Sequence, residues 1–508
     1  MKQLGLLVLL AAASVARGEL SLAPVFTSHL VLQREAALPI WGQAAPGAIV
    51  IGEFGAERCQ ATADATGRWR MQFSARPPSD VPATLRFSSA GIVREIDDVL
   101  VGDVWLCSGQ SNMEWPLEKE LHGTEEIPRA THPNVRWFNP DYPGRNRGGA
   151  AFTAEEVRAL AAGGAFFGAW TRATPETSRG CSAIGYYFAT QLAPAVGVPV
   201  GIIQLAVGGS PLESWMSRDT LAADSKLRPL LTEPWLENPV LEAWCRQRAH
   251  ENLDRALGAG EVDARNPPHA FRPGFLWQSA LEPLAPFPLR GVLWYQGESN
   301  SLRLDRVQQH EIMFPLFVRD LRARWGANSL PLFYCQLSGI ETANYHSEFW
   351  PEFRNSQRRL LAVVPNTGMV VTSDVGDLAS VHPRDKRTVA ARLVGLALAQ
   401  VYGRDLLASG PQPRVPHARG RELEIGFDSV GAGLATSDGT AVRGFEVAGV
   451  DGVFFPAQGR LERTSAVLMN DRVAVPRRVR YNWQPFPRGN LVNAAGLPSS
   501  TFEMEAAP

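Results

Sequence analysis

The stretch Gly109-Gln110-Ser111-Asn112-Met113 follows directly on the apolar run Val104-Trp105-Leu106-Cys107. A serine between amide side chains, placed where a buried strand ends, can present a nucleophilic hydroxyl at the carboxyl edge of a sheet. We therefore predict that Ser111 is a nucleophile. Position 113 is Met, so the stretch does not match the G-x-S-x-G turn of the α/β-hydrolases. Because a serine after a strand is commonly a helix cap, the prediction depends on its partners.

The pattern around this stretch predicts an α/β fold. Over residues 102–405, apolar strand-like runs alternate with segments of helical spacing such as His310 to Trp325. This alternation predicts a parallel sheet with helices on both faces and catalytic groups at the carboxyl ends of its strands. Residues 19–101 show segments of period two between turns, and residues 406–508 are again rich in strand-like runs. We expect a catalytic domain flanked by two β-rich, sandwich-like regions.

The first 18 residues are predicted to form a signal peptide. Met1-Lys2-Gln3 is a short charged segment, and the apolar run from Leu4 to Ala13 is too short to span a bilayer. Ser14-Val15-Ala16 has the small-x-small pattern of a cleavage site. We therefore expect an exported protein, secreted or periplasmic, with no membrane span.

Composition and charge argue against several classes of function. The 508 residues include 50 Lys and Arg against 51 Asp and Glu, so the formal net charge is −1 and no nucleic-acid partner is predicted. The five cysteines are few and odd in number, which argues against a disulfide scaffold. No C-x-x-C, H-E-x-x-H or paired His spacing indicates a metal site. We expect no metal and no other cofactor, and no pattern indicates an oligomeric state.

A serine nucleophile needs a base, a group that orients the base, and donors for an oxyanion. His382 is the candidate base, because its loop also contains Asp374 and Asp377 and follows an apolar run. The other histidines lack this arrangement of strand, turn and acidic pair. Candidate oxyanion donors lie in Gly208-Gly209-Ser210 and in the run from Gln296 to Asn300, because backbone N–H groups at strand ends can point at a ligand.

These blocks resemble a known family. The runs GQSNM (109–113), GGSPLESW (208–215), WYQGESN (294–300) and DVGDLASVHPRDK (374–386) have the order and comparable separations of the blocks of the SGNH hydrolase superfamily, in the form found in sialate O-acetylesterases. Similar segments reach from Val31-Leu32-Gln33-Arg34 to Val479-Arg480-Tyr481-Asn482-Trp483, so the resemblance covers nearly the whole chain after the predicted signal peptide. It implies a three-layer α/β/α domain and a serine esterase that removes O-acetyl groups from sugars.

The resemblance also implies a role for each motif residue. Ser111 matches the nucleophile, and its N–H together with that of Gly209 matches two oxyanion donors. The superfamily's third donor is usually an Asn side chain in a G-x-N-D block, which reads Q-G-E here, so Gln296 is expected to supply the amide, with Asn300 as the alternative. His382 matches the general base. Glu298 serves either in substrate binding or in holding its loop.

The orienting acid is where the chain departs from the superfamily. The usual Asp three residues before the base is replaced by Ala379. We predict that Asp377 takes its place, because a local bulge could still bring its carboxylate to the imidazole. Asp374, or a Ser-His dyad with no acid, remains an alternative.

The expected partner is an O-acetylated sugar or glycan. Aromatic residues beside the motifs suit the C–H face of a sugar ring, whose hydroxyls take hydrogen bonds. O-acetylated sialic acid is the first choice, and acetylxylan, another polysaccharide ester, or a catalytically silent carbohydrate-binding protein are the alternatives. Arg354 and Arg384 are candidates for holding the carboxylate of a sialic acid. The predicted substrate-binding residues are Trp115, Trp215, Glu298 and Asn300.

Overall fold

The structure is a computed structural model that describes residues 19–145, 147–162 and 166–507. The predicted signal peptide, residues 1–18, lies outside the described residues. A large mixed sheet with helices on both faces forms the centre of the molecule, and further β-rich regions precede and follow it in the chain. The protein is therefore of the mixed α/β class.

The strands before the central sheet alternate buried and exposed side chains. In Arg68–Phe73 the residues Trp69, Met71 and Phe73 are buried, while those between them are exposed. This is the period of two expected where one face of a strand packs on a core. The strands are β1 (Ser21–Leu22), β2 (Val31–Gln33), β3 (Leu38–Gln43), β4 (Ile49–Phe54), β5 (Glu57–Thr62), β6 (Arg68–Phe73) and β7 (Ser79–Ser89).

The central sheet is mixed rather than purely parallel. In spatial order its main strands are β10 (Trp170–Ala173), β9 (His132–Phe138), β11 (Val200–Ala206), β8 (Ile92–Gly109), β12 (Gly291–Tyr295), β13 (Leu332–Cys335) and β14 (Thr367–Val370). Neighbours from β9 to β14 pair in parallel, and β10 pairs antiparallel with β9 at the edge. The carboxyl ends of the parallel strands therefore meet at one edge of the sheet, as predicted.

Helices pack on both faces of this sheet. The α-helices of the described residues are α1 (Ser111–Glu114), α2 (Gly123–Glu126), α3 (Ala154–Ala161), α4 (Pro175–Arg179), α5 (Ala183–Val196), α6 (Arg218–Ala223), α7 (Ala243–Gly258), α8 (Glu282–Leu284), α9 (Leu304–Trp325), α10 (Trp350–Val363) and α11 (Arg387–Gln400). Val104 and Leu106 pack in a core with α9, whereas Trp105 and Cys107 pack in a second core with α5 and α11. Parallel strands bury both faces, which explains their continuous apolar runs. Among the described residues, no helix is both long and apolar enough to cross a membrane.

Strand β8 links the N-terminal β-rich region to the central sheet. Up to Gly102 it pairs with β7 and β2, and from Asp103 it pairs with β11. The change of partners falls at residue 102, where the sequence predicts a domain boundary, although the strand itself continues across it. Because β8 runs through the N-terminal β-rich region and the central sheet, it fixes the position of the segment after Gly109 with respect to both.

The C-terminal β-rich region has an apolar core of its own, which includes Leu423, Ile425, Val447, Val479 and Phe502. Its strands alternate buried and partly exposed residues, as in Glu422–Asp428. The strands are β15 (Gln412–Pro413), β16 (His417–Arg419), β17 (Glu422–Asp428), β18 (Leu434–Thr436), β19 (Phe445–Ala448), β20 (Phe454–Pro456), β21 (Gln458–Leu461), β22 (Ser465–Met469), β23 (Arg478–Tyr481), β24 (Leu491–Asn493) and β25 (Phe502–Glu505).

Arg354 on α10 ties this C-terminal region to the central sheet. Its guanidinium donates to the carbonyl oxygens of Ser338 at 2.9 Å and Pro485 at 3.2 Å, and to Thr501 Oγ1 at 2.9 Å. The side chain is fully buried, and burial lowers the pKa of the guanidinium to about 9. The prediction that Arg354 holds a substrate carboxylate is therefore wrong, because its donors are used inside the protein.

We expect Arg354→Met to lower the free energy of unfolding by about 3 kcal/mol, because it leaves several buried carbonyl oxygens without a donor. The measurement is urea unfolding followed by tryptophan fluorescence. Arg359→Met on the same helix is the control, since Arg359 makes a largely exposed ion pair with Glu311 and such pairs contribute about 1 kcal/mol or less. Equal losses in the two variants would contradict the role of Arg354.

Candidate active site

Ser111 lies at the carboxyl edge of the central sheet, where the sequence predicts it. It is the first residue of α1 and follows the end of β8 at Gly109 by two positions. Gly109 has a φ of +129°, and a Cβ there would lie 2.2 Å from the carbonyl oxygen of Tyr295 on β12. Only glycine permits this close approach, which turns the chain from the strand into the helix beside the neighbouring strand.

The four motif blocks meet at one cavity of about 570 Å³. A cavity of this size lies within the usual range for small-molecule sites. Ser111, Gly209, Glu298 and His382 all line it, together with several aromatic side chains. The structure therefore brings together the predicted nucleophile, base and one oxyanion glycine, although their blocks are far apart in the sequence.

Two backbone N–H groups at this cavity are available to a ligand. A Cβ on Gly208 would lie 3.6 Å from the Cβ of Ser111, so the turn formed by Gly208 and Gly209 is adjacent to Ser111. The N–H of Gly208 donates to Glu114 Oε2 at 2.6 Å. The N–H groups of Ser111 and Gly209, in contrast, donate no hydrogen bond to any residue that the structure describes. Free backbone N–H groups beside a serine are the kind of donor that an oxyanion hole uses.

The amide of Gln296 is not at the cavity. Its Nε2 donates to Asn300 Oδ1 at 2.6 Å, and Asn300 in turn donates to Glu213 at 2.9 Å. Both amides are buried and neither lines the cavity. The structure therefore does not support Gln296 as an oxyanion donor or Asn300 as a substrate-binding residue. Buried polar groups need partners, and here the Gln296 Nε2 donor is used inside the loop, on Asn300.

Gln110 supplies an amide that the sequence analysis missed. Its Oε1 accepts hydrogen bonds from the N–H groups of Gly297 at 3.1 Å and Ser299 at 3.5 Å. These bonds fix the amide beside Ser111, and Gln110 lines the cavity. Its Nε2 donates to no residue in the described part of the chain, which makes it a third donor suited to an oxyanion. Gln110 stands directly before Ser111 in the GQSNM motif, and this position was the sequence signal that could have identified it as a site residue.

We expect Gln110→Ala to lower kcat by roughly 10²-fold with a small change in KM, the cost of removing one oxyanion donor. The measurement is steady-state hydrolysis of p-nitrophenyl acetate. Gln296→Ala is the comparison. We expect it to lower the midpoint of thermal unfolding and to lower kcat less than Gln110→Ala does. A larger loss of kcat in Gln296→Ala, with an unchanged melting temperature, would restore the sequence-based assignment.

The imidazole of His382 stacks on Trp115, with ring centroids 5.0 Å apart and planes 25° from parallel. Burial, and after it the positive charges of Lys386 and Lys119, lower the pKa of His382 to about 4. The imidazole is therefore neutral near pH 7, as a general base must be. Trp115 does not line the cavity, so its place is behind the base rather than against a substrate.

Trp215 does not contact the cavity either. It is fully buried, its Nε1 donates to Ser210 Oγ at 2.9 Å, and its ring packs edge-on against Trp294 at 5.8 Å. The prediction that Trp215 binds substrate is wrong, because its ring packs in the apolar core next to the turn at Gly208, Gly209 and Ser210.

The two acids near His382 shape their loop. Asp377 Oδ1 accepts from the N–H groups of Ala379 at 2.8 Å and Ser380 at 3.0 Å. Asp374 forms paired hydrogen bonds with Arg392 at 2.7 and 2.6 Å. No residue in the described ranges makes a hydrogen bond to the His382 imidazole, so the predicted contact from Asp377 is not formed. The short Asp377 side chain is instead used to close the turn before the base.

Asn112 connects the sequence block of Ser111 with the blocks that contain Glu298 and His382. Its Nδ2 donates to Glu298 Oε1 at 2.5 Å and to the carbonyl oxygen of Val381 at 3.0 Å, and its Oδ1 accepts from Lys386 Nζ at 2.6 Å. Burial raises the pKa of Glu298 and lowers that of Lys386 to about 8. Glu298 Oε2 has no hydrogen-bond partner among the described residues. Asn112 and Lys386 were missed as site residues, although both lie in the quoted motifs.

Because the base must be unprotonated, we expect kcat/KM to rise with pH through the depressed pKa of His382, near 4, and to be flat around neutrality. Lys119→Gln should move this acid limb to higher pH, since it removes a positive charge that disfavours the imidazolium. The measurement is the pH profile of p-nitrophenyl acetate hydrolysis, with preincubation controls for acid inactivation. An acid limb at the ordinary value of 6.5 would contradict the lowering of the His382 pKa by burial and by the two lysines.

Comparisons with known proteins identify similar carbohydrate esterases. The family model of the sialic acid-specific acetylesterase type of carbohydrate esterase matches residues 276–404. Sialate O-acetylesterase of Rattus norvegicus is 28% identical over 473 residues, 84% of this chain and 83% of that protein. The Homo sapiens sialate O-acetylesterase is 27% identical over 424 residues, 77% of this chain and 73% of that protein.

A solved structure is similar along almost the whole chain. A carbohydrate acetylesterase from Xanthomonas citri aligns with a TM-score of 0.78 and 31% identity, covering 95% of this chain and 99% of that one. Fold, site and relatives together define this protein as a carboxylic ester hydrolase. The chain belongs to the sialate O-acetylesterase family of carbohydrate esterases.

Proposed function

We propose that this protein is a serine esterase that removes O-acetyl groups from sugars, with O-acetylated sialic acid as its first substrate. The observation that carries the proposal is the meeting of Ser111, the unpaired N–H groups of Ser111 and Gly209, and the neutral imidazole of His382 at one cavity. The relatives' activities support the choice of an acetylated sugar. Acetylated xylan is the second candidate substrate.

The proposed reaction proceeds through an acyl-enzyme. Ser111 Oγ attacks the acetyl carbonyl carbon while its proton passes to His382, and the N–H groups of Ser111 and Gly209 with Gln110 Nε2 hold the oxyanion. The tetrahedral intermediate collapses as His382 donates that proton to the departing sugar oxygen. Water then attacks the acyl carbon while His382 takes its proton, and His382 returns this proton to Ser111 Oγ as the acyl–oxygen bond breaks and acetate leaves. Because Asp377 is used in the turn, we assign the proton transfer to a Ser-His dyad oriented by the stacking of Trp115.

We also propose the finer assignment of the fold and location. The catalytic domain, residues 102–405, is assigned to the SGNH type with three α/β/α layers, because helices cover both faces of its sheet and the motif blocks lie at its carboxyl edge. Residues 19–101 and 406–508 are the flanking β domains. Export rests on the N-terminal sequence pattern alone.

Acetate release from O-acetylated sialic acid and from acetylated xylan, measured in parallel, tests the function. We expect release from the sialic acid at a higher kcat/KM than from xylan. Release from xylan alone would retain the esterase and overturn the sialate assignment. Release from neither sugar, with p-nitrophenyl acetate still hydrolysed, would overturn both candidate substrates and leave another sugar ester as the substrate.

Ser111→Ala and His382→Ala are the controls for the mechanism in the same assay. Each is expected to lower kcat by roughly 10³-fold, and the double variant should be little worse, because the pair acts as one unit. Losses that add in the double variant would sink the assignment of nucleophile and base.

A further inference from the structure

One helix, α7, forms a wall of the cavity that leads away from the reaction centre. Trp244, Arg248 and Asn252 all line the cavity, and their spacing of four residues places them on one face of the helix. A Cβ on Gly209 would lie 2.6 Å from the Trp244 ring, so the first turn of α7 is at the oxyanion glycine. Arg248 is four residues further on, about 6 Å along the helix axis.

Arg248 has donors to spare for a ligand. Its Nε donates to Glu251 Oε2 at 3.0 Å, while its two terminal NH₂ groups donate to no residue within the described ranges. Arg147, which lines the same cavity, donates from its Nε to Glu156 at 2.8 Å, and its terminal groups donate to none of the residues that the structure describes. Their side chains are 37% and 41% exposed, so both guanidinium groups are accessible from the cavity side of the molecule.

The acidic groups that line the cavity already have partners. The Glu114 carboxylate accepts from the Tyr142 hydroxyl at 2.9 Å and is paired with Arg145 at 3.3 Å. Glu298 is bound by Asn112 on one oxygen. The outward path along α7 therefore runs from an apolar wall at Trp244 to guanidinium donors that suit an anion.

We propose that Arg248, together with Arg147, binds the carboxylate of an acidic sugar, so that the enzyme selects acidic over neutral sugar esters. A terminal guanidinium edge matches a carboxylate through two parallel hydrogen bonds. The other sequence candidate, Arg384, is used elsewhere, since it donates to the carbonyl oxygens of Lys119 and Glu120. The inference rests on the proposed function, because it places a sugar ester at Ser111.

Inhibition of p-nitrophenyl acetate hydrolysis by N-acetylneuraminic acid, compared with its neutral carboxamide, tests the inference. In the unaltered enzyme we expect the acid to inhibit with a Ki about tenfold lower than that of the amide, the size of one charge-assisted contact. In Arg248→Gln this ratio should fall to about twofold or less, and in Arg147→Gln it should fall partway. Arg158→Gln is the control, because this exposed residue of α3 does not line the cavity, and it should keep the ratio of the unaltered enzyme.

Equal inhibition by acid and amide in the unaltered enzyme, or an acid preference that survives in both Arg248→Gln and Arg147→Gln, would overturn the inference. These readings do not depend on whether a sugar ester is cleaved. Acetate release from sugars without an acid preference would leave the proposed function standing and remove the carboxylate site. An acid preference lost in Arg248→Gln without acetate release from any sugar would support the carboxylate site and remove the sugar esterase.

Discussion

The pairing of β8 with two sets of strands is the constraint on which the site depends. Its first half is held by β7 and β2, and its second half is hydrogen-bonded on both sides, to β11 and β12. A strand held at both edges cannot shift its register without exposing apolar side chains from two cores. Ser111 follows this strand by two residues, so a backbone held on both sides sets the position of the proposed nucleophile.

The catalytic groups come from separate loops, and a buried polar network keeps them together. Asn112 bonds the Glu298 loop, the backbone before His382 and the Lys386 ammonium. In a low-dielectric interior an unpaired member of such a network is costly, so the three loops are held in one arrangement. The same network keeps the buried Glu298 carboxylate and the buried Lys386 ammonium bonded to one shared amide, next to Ser111 in the chain.

The cavity combines an aromatic wall with charged groups further out, and this division suits a sugar ester. In the proposed reaction the ester carbon lies beside the N–H groups of Ser111 and Gly209, and the Trp244 ring lies next to Gly209. Polar and charged substituents belong along α7, where Arg248 follows Trp244 by one helical turn. The proposed carboxylate site on α7 is therefore separate from the segments that carry Ser111 and His382, so a substitution at Arg248 leaves those two residues in place.

By itself, the sequence determined the alternation of strands and helices, the carboxyl-edge position of Ser111 and the blocks that surround it, because side-chain periodicity and turn residues act locally. It did not determine which amide faces the cavity, because Gln110 and Gln296 both follow strands in motif blocks. Among the described residues, the Nε2 of Gln296 has a partner, whereas the Nε2 of Gln110 has none. It likewise could not show that Asp377 closes a turn, that Trp215 and Arg354 are buried, or that Arg248 reaches the site. Those outcomes depend on hydrogen-bond partners and neighbours that are distant in the chain, and they exist only once the sheet and its helices have packed.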